Sequence, residues 1–320
     1  MVLTQATHWI WDFWLADTDT EYHLFFLKAP RTVDPGLRHW NTRVGHAVST
    51  DLITWQVVSD ALAPSTEPAF DDLATWTGSV VRGDDGSWYM FYTGLSRVDD
   101  GQVQRVGLAT SDDLLTWRKH GTDVLVSADP RWYHTLDDSR EVEAWRDPWL
   151  VRDPDGDGWH MLVTASARDG EVGGGGVLGH AWSTDLLTWR VLPPLSRTDF
   201  GFGQLEVPQL AVVDGDPVLL FSCLGPQLSR ARREAEEPGG VWVLRPDSLL
   251  GPYDVMHATR LTDESLYVGK LVQSRDGRWV LLAFVNQDPD GAFVGSISNP
   301  LPVVLPVGSG ALLSAPVQVP

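Results

Sequence analysis

Gly45-His46-Ala47-Val48-Ser49-Thr50-Asp51-Leu52-Ile53-Thr54-Trp55 decides the fold, because it returns twice: as Gly107-Leu108-Ala109-Thr110-Ser111-Asp112-Asp113-Leu114-Leu115-Thr116-Trp117, and as Gly179-His180-Ala181-Trp182-Ser183-Thr184-Asp185-Leu186-Leu187-Thr188-Trp189. Each copy reads as a strand opening on Gly-x-Ala-x-Ser, followed by a polar loop that ends in Trp. Fainter copies lie at 240–250 and 295–301. A repeat of this size is a multi-stranded unit used several times. Ahead of each copy stand two further strand-like runs joined by turn residues such as Gly83-Asp84-Asp85-Gly86, Asp214-Gly215-Asp216 and Arg275-Asp276-Gly277. The first runs cover 10–15, 77–82, 145–151, 205–213 and 267–273. The second runs cover 22–28, 88–93, 159–165, 217–223 and 279–285.

Five four-stranded antiparallel units in a row predict an all-β fold, a five-bladed β-propeller in which radial repetition leaves only short sheet edges. The expected blades are 9–60, 74–125, 144–195, 203–256 and 265–320, within a single domain over 1–320. No long helical period supports a parallel α/β alternative; helix is expected only locally, at 228–237 and 247–250. The Pro- and Val-rich stretch 300–320 is expected to supply a last edge strand or a strap that closes the ring.

The 320 residues are 43% hydrophobic, enough for a sizeable core, and carry a formal net charge of −19. That charge repels nucleic acid and anionic membrane surfaces. No apolar run approaches the ~20 residues needed to span a bilayer, and the N-terminus has no secretory pattern, so a cytoplasmic location is expected. The lone Cys223 has no second thiol for a disulfide and reads as core. Charge and size suit a monomer or a small homo-oligomer.

In a propeller the first strand of each blade lines the axial channel. Three of these strands place an acid among apolar residues: Asp12 within Trp9-Ile10-Trp11-Asp12-Phe13-Trp14, Asp147 within Trp145-Arg146-Asp147-Pro148-Trp149, and Glu206 within Leu205-Glu206-Val207-Pro208. Desolvating a carboxylate there costs several kcal/mol unless it has partners or a task. One explanation is glycosidic cleavage by an acid and a nucleophile or base; the other is a set of structural ion pairs in which Arg146 neutralises a neighbour. The chain holds 16 Trp. Trp55, Trp117 and Trp189 are repeat positions and read as packing between blades. Trp11, Trp14, Trp40 and Trp76, with Trp9, Trp132, Trp145 and Trp149, lie on first strands or in long loops, where an aromatic face can stack on a sugar. Tyr267 opens the fifth channel strand and is a further candidate for substrate contact.

These motifs, in this order, resemble glycoside hydrolase family 32, the invertase, inulinase and levanase group. The resemblance is carried by Trp9-Ile10-Trp11-Asp12, Tyr22-His23-Leu24-Phe25-Phe26, the Gly45–Trp55 stretch, Trp76-Thr77-Gly78-Ser79, Phe91-Tyr92-Thr93-Gly94, Arg146-Asp147-Pro148 and Leu205-Glu206-Val207-Pro208. It implies retaining hydrolysis or transfer of β-fructofuranosyl groups, with no metal and no organic cofactor, on a small-molecule or oligosaccharide substrate. Asp12 would be the nucleophile and Glu206 the general acid/base. Asp147 with Arg146 would bind sugar hydroxyls, and Trp76 and Thr77 would help form the sugar pocket.

The chain departs from the family where Trp11, Phe13, Trp14 and Leu27 replace residues of the opening motifs, two Asn, a Pro and a Gln among them. Replacing amides removes hydrogen bonds worth ~1 kcal/mol each. Two other readings share the sequence: an inverting arabinofuranosidase- or xylosidase-like propeller, and a sugar-binding propeller without catalysis. Asp153-Pro154-Asp155-Gly156-Asp157-Gly158 resembles the start of a calcium loop, but it occupies the hairpin-turn position of the other blades and is read as a turn. His46 and His180 are repeat positions and read as structural. The charged stretch 230–237 reads as a solvated face, or as part of the site's rim.

Overall fold

Each repeated loop is closed by its own Ser and Asp. Asp51 Oδ1 accepts from the backbone N–H of Ile53 (2.8 Å) and Thr54 (2.7 Å) and from Ser49 Oγ (2.9 Å). Asp113 and Asp185 repeat the pattern. The chain then turns through a left-handed Leu, with φ of 63°, 63° and 66° at Leu52, Leu114 and Leu186. The indole N–H of Trp55, Trp117 and Trp189 donates back to the carbonyl of that Leu. Trp117 and Trp189 pack edge-on against Phe25 and Phe91 of the preceding sheet, with ring centroids 5.6 Å apart in both pairs. The repeat is therefore a sheet-to-sheet fastener.

The computed structural model describes residues 2–136, 142–170, 174–198, 201–303 and 305. It has five four-stranded sheets arranged as a propeller. The first contains β1 (His8–Asp17), β2 (Tyr22–Pro30), β3 (Arg43–Ser49) and β4 (Gln56–Val57); the second β5 (Ala74–Arg82), β6 (Trp88–Leu95), β7 (Arg105–Ser111) and β8 (Arg118–Lys119). The third contains β9 (Trp145–Arg152), β10 (Trp159–Ser166), β11 (Gly176–Ser183) and β12 (Arg190–Leu192). The fourth contains β13 (Glu206–Val213), β14 (Asp216–Cys223), β15 (Gly240–Leu244) and β16 (Thr259–Arg260). The fifth contains β17 (Leu266–Gln273), β18 (Trp279–Gln287), β19 (Phe293–Ile297) and β20 (Leu301–Pro302). The innermost strands β1, β5, β9, β13 and β17 neighbour one another in sequence, and β17 lies again beside β1.

The ring closes differently from the sequence expectation. β20 does form, but on β18, where Leu281 faces Leu301. The outer partner of β19 is the N-terminal residue Leu3, joined to Ile297 by hydrogen bonds of 3.1 and 2.9 Å. The rest of the expected strap, residues 304 and 306–320, lies outside the described residues, and the expected fifth blade is described only to 305. The helix expected at 228–237 shortens to α1 (Arg230–Glu234), and 247–250 is a turn. A 3₁₀ helix, Pro35–Asn41, was not legible; its start is fixed by Asp34, whose carboxylate accepts from the Gly36 N–H. The calcium-like stretch is the turn between β9 and β10, where Asp153 N–H donates to the Gly158 carbonyl at 3.0 Å. No helix among the described residues is long and apolar enough to cross a membrane.

Removing one loop anchor tests the fastener. Asp113→Ala strips acceptors from two backbone N–H groups and the Ser111 hydroxyl, and is expected to lower stability by about 1–2 kcal/mol, read from the urea midpoint. An unchanged midpoint would contradict this role.

Candidate active site

All five innermost strands bulge at the same level of the channel. Pairing shifts between Trp11 and Phe13, between Thr75 and Gly78, opposite Leu162 and Thr164, between Glu206 and Gln209, and between Tyr267 and Lys270. A bulge leaves a residue unpaired and re-aims its side chain. Asp12 is the extra residue of β1, and Asp147 is one of those skipped on β9. Three of the bulges need left-handed backbone at residues other than Gly: Asp147 (φ 58°), Val207 (φ 47°) and Val268 (φ 50°). For a β-branched Val this is a strained conformation, of the kind that persists only where surrounding contacts fix it.

Those contacts are present. Val207 N–H donates to Asp147 Oδ2 at 3.2 Å, and Lys270 Nζ donates to the carbonyls of Val207 and Pro208, both at 3.1 Å. Asp147 N–H donates to Thr93 Oγ1 (3.0 Å), and the Thr164 hydroxyl lies 2.8 Å from Asp147 Oδ2. Val268 N–H donates to Ser222 Oγ at 3.1 Å.

The bulges bring Asp12, Asp147 and Glu206 into one cavity of about 390 Å³. Arg146 lies among them. One of its terminal nitrogens donates to Glu206 Oε1 at 2.6 Å and to Gln204 Oε1 at 3.0 Å, the other donates to Gln104 Oε1 at 3.1 Å, and Nε lies 3.4 Å from Asp147 Oδ2. Glu206 also accepts from Tyr267 OH on Oε2 (2.5 Å) and from Gln227 Nε2 on Oε1 (3.3 Å). Among the described residues Asp12 accepts only from the Thr77 hydroxyl, at 3.2 Å. Burial, reinforced by the charges of Asp147 and Glu206, pushes Asp12 up to about 7, while Arg38 and Thr77 pull the other way. Burial also raises Asp147, with Arg146 opposing it. Burial and then Arg38 hold His39 down at about 3, so its imidazole is neutral. Burial lowers Lys270 to about 7, against the pull of Asp147 and Asp12.

Of the aromatic candidates, Trp11, Trp76 and Tyr267 line this cavity, as do Thr77 and Arg146. Trp14 does not: it is fully buried in the core, stacked on Phe25 at 6.0 Å. Trp11 pairs with Leu27 and Trp14 with Phe25, so Trp14 sits two residue pairs farther along the strand, beyond the cavity. Trp40 does not line the cavity either. It is 41% exposed and leans on Trp76 at 6.2 Å, placing it outside the cavity wall. Trp76 is fixed through its indole N–H to the His39 carbonyl at 2.8 Å.

Sequence reasoning missed Arg38, His39, Gln104, Gln204, Gln227 and Asn286, all of which line the cavity. They sit in connections or at a strand end, where no repeat or periodicity marks them. Arg38 lies over the rings of Phe293 (4.1 Å) and Trp11 (5.4 Å). A larger groove of about 890 Å³, lined by Asp51, Arg278 and Pro302 among others, contains none of the three carboxylates. Among the described residues no group of three His, Cys, Asp or Glu is placed to hold a metal ion.

Residues 7–292 match the family model described as glycosyl hydrolases family 32 N-terminal domain. The sucrose-6-phosphate hydrolase of Bacillus subtilis (strain 168) is 30% identical over 272 residues, 82% of this chain and 52% of that protein. The raffinose invertase of Escherichia coli is 28% identical, over 83% of this chain and 52% of that protein. The chain thus spans about half the length of these curated relatives. Among solved structures, the inulosucrase from Halalkalicoccus jeotgali bound to kestose superposes with a TM-score of 0.70 at 22% identity, covering 91% of this chain and 79% of that one. A Bombyx mori β-fructofuranosidase gives 0.67 at 21%, covering 93% and 61%. At such identities the likeness is one of fold.

The raised Asp12 sets a pH dependence of stability. Its folded value of about 7 lies above that of an exposed aspartate, so the folded chain holds the extra proton between about pH 4 and 7 and loses stability as pH rises through that window. Asp12→Asn removes the titration and keeps a partner for Thr77. The variant is expected to be the more stable by ~1–3 kcal/mol at pH 8, with the gain shrinking toward pH 4. Urea midpoints at the two pH values measure it, and an equal gain at both would contradict the assignment.

Proposed function

Since the chain belongs to glycosyl hydrolase family 32, we propose that it cleaves or transfers a β-fructofuranosyl or closely related furanosyl group by retaining double displacement. The observation that carries this reading is the placement of Asp12, Asp147 and Glu206 around Arg146 in one cavity. The names of the relatives, a sucrose-6-phosphate hydrolase and a raffinose invertase, point to sucrose-type fructosides as the first substrates to try.

In the proposed reaction Asp12 attacks the anomeric carbon as Glu206 gives its proton to the departing oxygen. The bond between that carbon and the leaving oxygen breaks, and a glycosyl ester on Asp12 forms. Glu206, now ionised, takes a proton from water or from an acceptor sugar, whose oxygen displaces Asp12 and restores both groups. Asp147 accepts hydrogen bonds from sugar hydroxyls, and Arg146 holds the Asp147 and Glu206 carboxylates in register. Among the described residues Asp12 has one weak donor, Thr77, which leaves oxygen lone pairs for the sugar.

The cycle needs Asp12 ionised while one proton remains for the leaving group. Asp12 gains its charge as pH rises toward about 7, so kcat/KM is expected to climb over that range as the nucleophile ionises. Trp11 and Leu27 stand in the cavity wall where the family resemblance calls for amides. Fewer hydroxyls of the bound sugar then find donors here, which favours furanosyl groups with fewer exposed hydroxyls over free fructose.

Reducing-sugar release from sucrose, inulin, levan and aryl furanosides tests the activity. Asp12→Asn and Glu206→Gln are each expected to lower turnover by ~10³-fold or more with the fold intact, and the wild-type kcat/KM should rise with pH up to about 7. Near wild-type turnover in both variants would overturn the assignment of roles.

A further inference from the structure

The fourth sheet departs from the others between β14 and β15, where residues 224–239 hold a 3₁₀ turn, Gly225–Gln227, and α1. One atom draws the two ends of this segment together. Glu264 Oε1 accepts from the backbone N–H of Gly225 at 2.5 Å and of Gly239 at 3.0 Å. A Cβ on Gly225 would stand 2.7 Å from that oxygen and one on Gly239 2.4 Å, so a side chain at either position would displace the carboxylate. Glu264 is itself held, its carbonyl accepting from Asn286 Nδ2 at 3.0 Å. On the outer side Arg232 lies 4.5 Å from the Phe202 ring centroid and pairs with Glu237 at 2.5 Å. On the inner side Leu224 and Gln227 line the cavity. The Gln227 carbonyl accepts from Gly203 N–H at 2.7 Å, and its amide donates to Glu206 Oε1 at 3.3 Å.

We propose that residues 224–239 form the leaving-group wall of the cavity, and that Glu264 is a positioning residue that pins this wall so that Gln227 stays on Glu206. The proposal rests on the reading of Glu206 as the acid, because the group it protonates must depart on its side. A carboxylate shared by two N–H groups is a charge-assisted contact, and here it fixes both ends of a segment that otherwise has only short secondary structure. Glu264 touches no reacting atom; it acts through Gln227.

Leaving-group dependence separates positioning from general damage. Sucrose needs a proton on its departing oxygen, whereas an aryl fructofuranoside leaves with little acid help. Glu264→Ala is expected to lower kcat/KM on sucrose roughly tenfold or more, mainly in kcat, and on the aryl substrate by less than about threefold. Glu264→Gln keeps an acceptor oxygen and should recover most of the loss. Glu264→Ala combined with Gln227→Met should lose no more than Gln227→Met alone, because both act through one contact. Equal losses on the two substrates, additive losses or an unaffected Glu264→Ala would overturn the proposal. Amide hydrogen exchange reads the pin without activity: Glu264→Ala should speed exchange within 225–239 and leave β13 and β17 unchanged. Unchanged exchange in 225–239 overturns the pin. Wild-type protein inert on every furanoside, with the exchange result as expected, overturns the fructosidase reading and leaves the pinned wall standing.

Discussion

Three carboxylates share one cavity with a guanidinium that touches two of them, and the rest of the site follows from that imbalance. Arg146 neutralises Glu206 at 2.6 Å and approaches Asp147 at 3.4 Å, but among the described residues Asp12 has only a hydroxyl partner. A buried charge without a partner shifts its proton affinity instead of staying ionised at full cost. The uneven sharing therefore divides the carboxylates by environment before any substrate enters. Two are tied into a network with Tyr267, Gln104, Gln204 and Gln227, and the third is left free to bond.

Holding that arrangement requires backbone that an ordinary sheet does not offer. A regular strand sends alternate side chains to the two sheet faces, which would not converge three acids from three blades on one point. The bulges supply the convergence, and left-handed Asp147 and Val207 supply the final turn. Two of the strained residues are met by donors from a neighbouring blade, Val207 by Lys270 and Asp147 by Val207, and Thr164 of its own sheet adds a further donor to Asp147. Local strain and inter-blade contact are thus two sides of one device. A buried lysine under the site is explained the same way, since its ammonium pairs with carbonyls that the bulge takes out of the ladder.

The parts legible in the sequence are those the chain repeats. Asp-Leu-x-x-Trp is visible because the same capped loop is built three times, and the channel strands are visible because each precedes a turn and a second strand. The pairing shows why the missed residues left no such mark. His8 faces Pro30 while Asp17 faces Tyr22, which also pairs with Ser49. The β1–β2 hairpin and the repeated loop therefore share one rim of the propeller, and the connection from β2 to β3 lies on the other. Arg38, His39, Gln104, Leu224 and Gln227 come from second-to-third-strand connections, and Val142 and Gln204 from the links between blades. Each of these segments differs in length and composition from its counterparts, so neither period nor repeat points to it. Trp14 errs in the opposite direction: an aromatic beside a site acid reads as sugar-facing, but its position two residue pairs farther along the strand stacks it on Phe25 in the core.

That division between rims also accounts for how the sheets are fastened without constraining the site. The repeated loops bind neighbouring blades through Trp117 on Phe25 and Trp189 on Phe91, at the end of the molecule away from the carboxylates. The opposite rim is thereby free to vary, and it varies most in the fourth blade, next to Glu206. A rigid rim built from copies tolerates little change at any one of them, because the second and third loops meet the preceding sheet in the same geometry. An irregular rim on the same strands can change one connection at a time, and every such change alters what meets the sugar while the strands that carry Asp12, Asp147 and Glu206 keep their register.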